Sequence, residues 1–581
     1  MRRISLLILL AAAACGARAA APRDYAFPVR DAARLYAANF GEMRPGHFHA
    51  GIDIKTDGAE GKPLVAADDG YVSRVTVAPG GYGRALYLTL ADGTTAVYGH
   101  LQRFRDDIER HVEAERRRRR ANGVDLHFGP EAWPVRRGDR VGLSGNSGSS
   151  MGPHLHYELR ETASGRRLNI VREGIVRPHD DLPPRILRLH YAEIDSLDGV
   201  CVRAPMQSYP ILRTADGSYR PSRREAVEVG RRGYFVAEVT DRRNGVHNTF
   251  GIWRLTAWID GERYFEYRMD GFTPDLARCC DAVSCYPLQL DSRCEAIRLA
   301  QLDRAPACFY PCMVGRGVVR TEPGERRRLR IEVEDDCGNR SSVEIDLVGR
   351  TGSFRARRSA PDADSTARPE HLLHPDRQAT LGIGREATCR IPAGALYEPL
   401  FCRPARRPAP CAPEGVVVLS PAYRFLEATT PLRQAAQIAV AASVPRSLRL
   451  RAALARTTRR GGLAFVGGHY TEGRIAASCR TAGDFAVVAD TMPPRIRPLF
   501  EEGADLSSAE MLRFRVGDNF SGVASCTLRI DGEWVPCDRY PVQSLLFHRF
   551  DGQGGRRRHE AELTVTDASG NTARWRGVFF R

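Results

Sequence analysis

Three short motifs recur in the same order in two parts of this chain, and that echo constrains its fold more than any other feature. Pro183-Pro184-Arg185-Ile186 returns as Pro493-Pro494-Arg495-Ile496, and Val239-Thr240-Asp241 with Gly245-Val246 returns as Val516-Gly517-Asp518 with Gly522-Val523. Asp335-Asp336-Cys337-Gly338-Asn339 returns as Asp567-Ala568-Ser569-Gly570-Asn571. The last pair is a turn signal closing runs of alternating side chains, Arg330-Ile331-Glu332-Val333 and Glu562-Leu563-Thr564-Val565. Such alternation sends successive side chains to opposite faces of a strand, one toward a core and one toward water. A duplicated unit of this kind reads as a β-sandwich present twice.

The chain is 581 residues long, and at roughly 100–200 residues per domain it divides into about three to five units. The reading is mainly β: an antiparallel β domain over 20–181 with a helical insertion at about 103–137, followed by about three β-sandwich modules. The modules are 182–350, enlarged by a cysteine-rich segment around 271–312, then 381–490, then 491–581. Between the first two, the Arg-, Ser-, Pro- and Asp-rich stretch 351–380 suits a linker. In the insertion, Glu113 and Arg117, and Glu115 and Arg119, stand four apart beside consecutive arginines from Arg116 to Arg120, which predicts a solvated helix.

Met1-Arg2-Arg3, the apolar run Ile4 to Ala14 and the small-residue exit Ala17-Arg18-Ala19 have the form of a secretory signal over 1–19. Acylation of Cys15 is the alternative to simple cleavage after Ala19. No later stretch reaches the roughly 20 apolar residues of a transmembrane helix, so the expectation is an exported chain, periplasmic or extracellular, soluble or lipid-tethered. Without Cys15, fourteen of the fifteen cysteines remain, none of them before Cys201. They fall into even groups, Cys201 to Cys337, Cys389 to Cys479, and Cys526 with Cys537, which predicts separately disulfide-stapled domains of undetermined connectivity. The net charge is +16, nearly all arginine, since Lys55 and Lys62 are the only lysines. A basic exported protein is drawn to anionic envelope polymers or lipid surfaces. The export signal and the absence of a groove-reading motif argue against nucleic acid. Oligomeric state is not legible.

The cysteine-free domain carries three motifs in order: His49-Ala50-Gly51-Ile52-Asp53, Tyr98-Gly99-His100-Leu101, and His154-Leu155-His156. Imidazoles with a carboxylate suit zinc in a site without thiolates. His154 and His156 are two apart, so on a strand both face one pocket while Leu155 faces away. The preceding Gly145-Asn146-Ser147-Gly148-Ser149-Ser150 is expected to be a flexible loop with room for a peptide. Lone histidines are usually surface or hydrogen-bonded residues, so His47, His111, His127 and His179 receive no role, and the pair His371 and His374 is read as solvated. Arg44 and Tyr98 border the motifs, and packing or an ion pair explains either equally well.

Through this complete His-x-x-x-Asp, central His and His-x-His set, over roughly residues 39–170, the chain resembles the LytM/lysostaphin-type zinc metallopeptidases. Asn39 to His49 looks like that family's approach to the metal, and Gly142 to Gly148 like its lead-in to the last pair. The repeated modules resemble bacterial immunoglobulin-like units in their turn motifs. The family resemblance implies one zinc ion held by His49, Asp53 and His156, with His100 and His154 catalytic. Three protein ligands leave a fourth position for water. A His-Glu-x-x-His helix is absent: His559-Glu560 is followed by Leu563 where the second His should stand. His154 is then the better general base and His100 the group steadying the oxyanion or donating a proton, two roles that are exchangeable. The implied function is a peptidoglycan cross-bridge endopeptidase. The alternatives are an inactive fold member that binds or regulates a wall hydrolase, or a peptidase for some other exported protein. No acid, base or metal cluster emerges after Asp181, so the modules are expected to bind, space or orient.

Overall fold

The computed structural model describes residues 24–352, 354 and 371–581, apart from 198, 199, 224, 293 and 553. The expected signal 1–19, Cys15 and most of the expected linker 351–380 lie outside the described residues. The architecture is mainly β. Among the described residues, no helix is long and apolar enough to cross a membrane.

The first domain is built on an antiparallel sheet whose main path runs Tyr36–Ala38, Ile52–Lys55, His154–Glu161, Thr94–Gly99, Arg84–Leu90, Gly70–Val77 and Val124–His127. Ile52, Ile54, Val72, Val75, Leu86, Leu88, Leu155 and Tyr157 are all buried in its core. Burying each such large apolar side chain stabilises the fold by about 1.5–3 kcal/mol. The sheet continues beyond the domain: Arg167–Leu168 pairs with Gly271–Phe272 of the next module, and both units share one apolar cluster.

The insertion differs from the solvated helix expected. The helix Asp106–Arg119 has acidic residues in its first turn and arginines in its last, as the helix dipole favours, but Glu109 and Arg116 on it are buried. Glu115 pairs with Arg119 at 2.9 Å as expected, whereas Glu113 turns to Arg116 at 2.7 Å and Arg117 reaches Asp551 of the last module at 2.7 Å. Beyond the helix, Val124–His127 and Pro134–Val135 both pair with Gly70–Val77, so this segment also extends the sheet.

That helix is a docking face. Arg84 and Arg116, each 2 % exposed, converge on Asp538 with contacts of 3.1 and 2.8 Å, and Arg84 also binds Glu109. Asn122 donates to the Cys526 carbonyl at 2.8 Å and accepts from the Cys537 amide at 3.0 Å. A charged helix surface is covered here because a complementary carboxylate arrives from more than 400 residues away in the chain.

The second unit folds a thirteen-stranded sheet around Leu189, Phe235, Leu255, Ile331 and Ile345. The third has sheets of five and six strands. Its backbone pairing begins at His371–Leu373, inside the stretch expected to be a linker. The last has sheets of four and five strands enclosing Leu512, Phe514, Leu528, Leu546 and Leu563.

Among the described residues the cysteines form no disulfide, unlike the stapled domains expected. Apolar clusters hold the units instead: one shared by the first domain and the next module, and one each in the third and last modules. Some members of a sequence group are close in space: Cys389 lies within electrostatic range of Cys402 and Cys479, and Cys537 of Cys526.

Candidate metal centre

Strand register alone assembles most of the site. The His154–Glu161 strand lies between Ile52–Lys55 and Thr94–Gly99, with His156 directly opposite Asp53 on one side and Gly99 on the other. His100 follows Gly99 at the strand end, and His49 precedes Ile52 by three residues. His49 Nε2, Asp53 Oδ1 and His156 Nδ1 then meet: His49 to Asp53 is 3.1 Å, His49 to His156 is 3.1 Å, and His156 to Asp53 is 2.9 Å. An ion about 2.0–2.1 Å from each tetrahedral ligand has donors about 3.3 Å apart. The three donors fit a zinc ion to within a few tenths of an ångström.

His154 and His100 flank this triangle. His154 Nε2 is 3.6 Å from Asp53 Oδ1, and the rings of His100 and His154 are 4.8 Å apart. His154 Nδ1 donates to the Gly152 carbonyl and His100 Nδ1 to the Ser147 carbonyl, both at 2.8 Å. With Nδ1 so engaged, each ring leaves its Nε2 toward the site. His100 has a left-handed backbone, φ 63°, a conformation costly for a residue with a Cβ. Its amide is held by the Tyr82 carbonyl at 2.8 Å.

The loop Gly145–Ser150 is pinned, in contrast to the flexible loop expected. Ser147 Oγ accepts from the Arg84 amide at 2.9 Å and donates to the Leu101 carbonyl at 2.8 Å. Gly148 has φ +73°, and a Cβ there would stand 2.4 Å from the Gly83 nitrogen. The small residues serve close backbone approach, which aims the Ser147 carbonyl at His100.

Charge states follow from burial and neighbours. Burial lowers His49 to about 4 against the pull of Asp53. Burial, with His154 and His156 nearby, lowers His100 to about 3. For His156 burial acts downward too, but hydrogen bonds to Asp53 and Glu158 outweigh it and push it up to about 9. Burial opposes ionisation of Asp53, yet His49 and His156 hold it well below the usual carboxylate range.

Glu158 was missed in the sequence, although it is two beyond His156 on the same strand face. It is fully buried and accepts from His156 Nε2 at 2.9 Å. This bond sets His156 to offer Nδ1 to a metal, the carboxylate–histidine arrangement common around bound ions. Tyr82 stacks on the His156 ring and donates to Glu158. Asn39 accepts from His49 Nδ1 at 2.8 Å. Arg44 does border the site, binding Asp53 Oδ2 at 3.1 Å. Tyr98 does not: it is buried and hydrogen-bonded to Val65 and Ala67. His47 is exposed and His111 packs against Phe128 and Trp133.

A metalloprotease of Haemophilus influenzae, otherwise uncharacterized, is 33 % identical over 129 residues, 22 % of this chain and 21 % of that protein. The DD-carboxypeptidase/endopeptidase Mpg of Neisseria meningitidis is 32 % identical over 131 residues, 22 % of this chain and 24 % of its own. This chain thus spans about a fifth to a quarter of the length of the curated relatives it matches. The catalytic domain of the M23 protein EnpA from Enterococcus faecalis is 30 % identical, covering 23 % of this chain and 87 % of that one, with a TM-score of 0.17. The profile of the Zu5-like domain matches residues 371–490. Over about a fifth of its length the chain is thus similar to metallopeptidases, in line with the LytM/lysostaphin-type resemblance of its motifs.

Proposed function

We propose that this protein is an exported zinc metalloendopeptidase that hydrolyses peptide cross-bridges of bacterial peptidoglycan. The observation that carries the reading is the convergence of His49 Nε2, Asp53 Oδ1 and His156 Nδ1 on one point, with the Nε2 atoms of two further histidines beside it. The name of the Neisseria relative, a carboxypeptidase and endopeptidase, supports the reaction class.

His49, Asp53 and His156 would hold the ion, with Glu158 and the Asn39 carbonyl orienting the two imidazoles. Zinc, when bound, supplies a Lewis acid for the scissile carbonyl and lowers the pKa of water toward about 7. His154 takes the proton of the attacking water at Nε2 and returns it to the leaving amine. His100, held neutral with its Nδ1 proton on Ser147, is a second acceptor at Nε2; it becomes an oxyanion donor only after taking up a proton. The modules 182–350, 381–490 and 491–581 orient this domain, and the basic surface favours contact with anionic envelope polymers.

Digestion of defined muropeptides, read by mass spectrometry, tests the reading. The zinc-loaded protein should release fragments cut at the peptide, and His156→Ala should lose both the metal and the activity. Intact muropeptides beside a folded, zinc-loaded protein would overturn the activity, and a folded protein that takes up no zinc would overturn the metal centre.

A further inference from the structure

The repeated motifs bring together a second kind of site, once in each repeated module. In the first, Asp180, Asp241 and Asp335 place carboxylate oxygens within 4.8 Å of one another; in the last, Asp490, Asp518 and Asp567 do the same. The correspondence is residue by residue. Asp180 and Asp490 each stand three before the repeated Pro-Pro, while the other four are the aspartates of the two repeated turn motifs. The same asparagine locks both sets. Asn339 Nδ2 donates to the Asp180 carbonyl at 3.1 Å and to Asp335 Oδ2 at 2.9 Å; Asn571 Nδ2 donates to the Asp490 carbonyl at 3.0 Å and to Asp567 Oδ2 at 2.8 Å.

Hydrogen bonding leaves part of each cluster unsatisfied. Asp241 is 0 % exposed, and neither of its carboxylate oxygens has a hydrogen-bond partner. In the last module the buried Oδ1 of Asp518 is likewise without one, while its Oδ2 accepts the amides of Phe520 and Gly522. A buried ionised carboxylate without a partner is strongly disfavoured, and burial, then the adjacent Asp335, pushes Asp241 up to about 9.

One cation already stands near the first cluster. Arg243 Nε is 3.9 Å from Asp180 Oδ2, but the guanidinium is ion-paired to a fourth carboxylate, Asp336. Where the first copy has Arg243 and Asp336, the last has Phe520 and Ala568. The arginine and its carboxylate are thus present together or absent together, and the three-aspartate core keeps the same charge in both modules.

We infer that each repeated module binds one hard divalent cation of the calcium class, through Asp180, Asp241 and Asp335 in the first and Asp490, Asp518 and Asp567 in the last. Oxygen-only donors select calcium or magnesium over zinc, and irregular carboxylate clusters completed by water suit calcium. Asp180 lies on the segment leaving the peptidase domain, and Asp490 ends the last strand of the preceding module, Asp484–Asp490. Each ion would therefore tie a module to the chain that enters it and stiffen the joint.

The test is calorimetric titration of the full, zinc-loaded chain with calcium chloride after dialysis into calcium-free buffer. Two ions per chain are expected, with Kd values in the range of about 10⁻⁴–10⁻³ M typical of extracellular modules. Asp241→Asn and Asp518→Asn should each remove one ion, and the double variant both. Calcium should raise the melting temperature of the wild type and leave that of the double variant unmoved. A wild-type chain that binds no calcium at millimolar concentration overturns the inference without using any variant. So does a folded double variant that still takes up two ions. Neither result bears on the zinc centre, whose ligands are untouched.

Discussion

Replacing Glu158 by Gln isolates the contribution of a group that touches neither metal nor substrate. The carboxylate is fully buried and binds His156 Nε2 at 2.9 Å and Arg160 Nε at 2.7 Å. The amide keeps an acceptor for the histidine but removes the charge. A hydrogen bond to a charged group is worth about 1.5–3 kcal/mol and a neutral one about 0.5–1.5, so the substitution should weaken the hold on His156 by about 1–1.5 kcal/mol. At 1.4 kcal/mol per factor of ten, zinc affinity should fall about tenfold, the lower edge of the 10–100-fold range typical of such partners. Competition against a chromophoric chelator measures this, with circular dichroism to verify folding. At saturating zinc, kcat/KM should recover to within a few-fold, because His100 and His154 are unchanged. A folded Glu158→Gln protein with wild-type zinc affinity would refute the reasoning and leave Glu158 as a partner of Tyr82, Arg160 and Arg167.

In the metal-free protein, His49 at about 4 and His100 at about 3 lie below the ordinary histidine value of 6.5. Their contribution to stability is therefore complete above pH 6.5 and lost as the pH falls from there toward 3. Urea midpoints should drop over that window and flatten in a His49→Asn/His100→Asn variant; a wild-type midpoint constant down to pH 4 contradicts the assignment. His156, raised to about 9, acts in the other direction and only between pH 6.5 and 9. Asp538→Ala leaves Arg84 and Arg116 buried without their shared carboxylate but still beside Glu109 and Glu113, a defect smaller than the about 3–5 kcal/mol of an uncompensated buried charge. Limited proteolysis should release the last module, and wild-type resistance would count against docking through this contact. Gly148→Ala forces a Cβ into the Gly83 backbone at a positive φ. With a left-handed penalty of about 1–2 kcal/mol before any clash, it should lower both the melting temperature and kcat, and an unchanged melting temperature would show that the loop has room to yield.

How far the site could be read in advance depended on the range of the interaction. His154 and His156 share a face by strand geometry, which local periodicity reaches, whereas His49 and Asp53 were singled out through the resemblance to LytM-type peptidases. Glu158 obeys the same two-residue period, and extending the alternation one step along His154-Leu155-His156-Tyr157-Glu158 finds it. The rigidity of Gly145–Ser150 was invisible because small residues signal freedom and close packing equally well. The buried face of the Asp106–Arg119 helix was invisible for a stronger reason. Its arginines read as solvated until Asp538 and Asp551 arrive from a distant part of the chain. Cysteine counts anticipated the proximity of Cys526 and Cys537 but carried no information on whether thiols join.

The contact between Arg84 and Asp538 spans 454 positions, and Gln543 donates to the carbonyl of Ser150 at the end of the loop Gly145–Ser150. Because an N-terminal domain folds first during synthesis, the metallopeptidase fold takes shape long before its clamp exists. A nascent or truncated chain would carry His49, His100, His154 and His156 yet leave Arg84 and Arg116 with only Glu109 and Glu113 as partners. The surroundings of the site are thus completed late: the loop Gly145–Ser150 gains its contact with Gln543 only after residues 538–543 have been made.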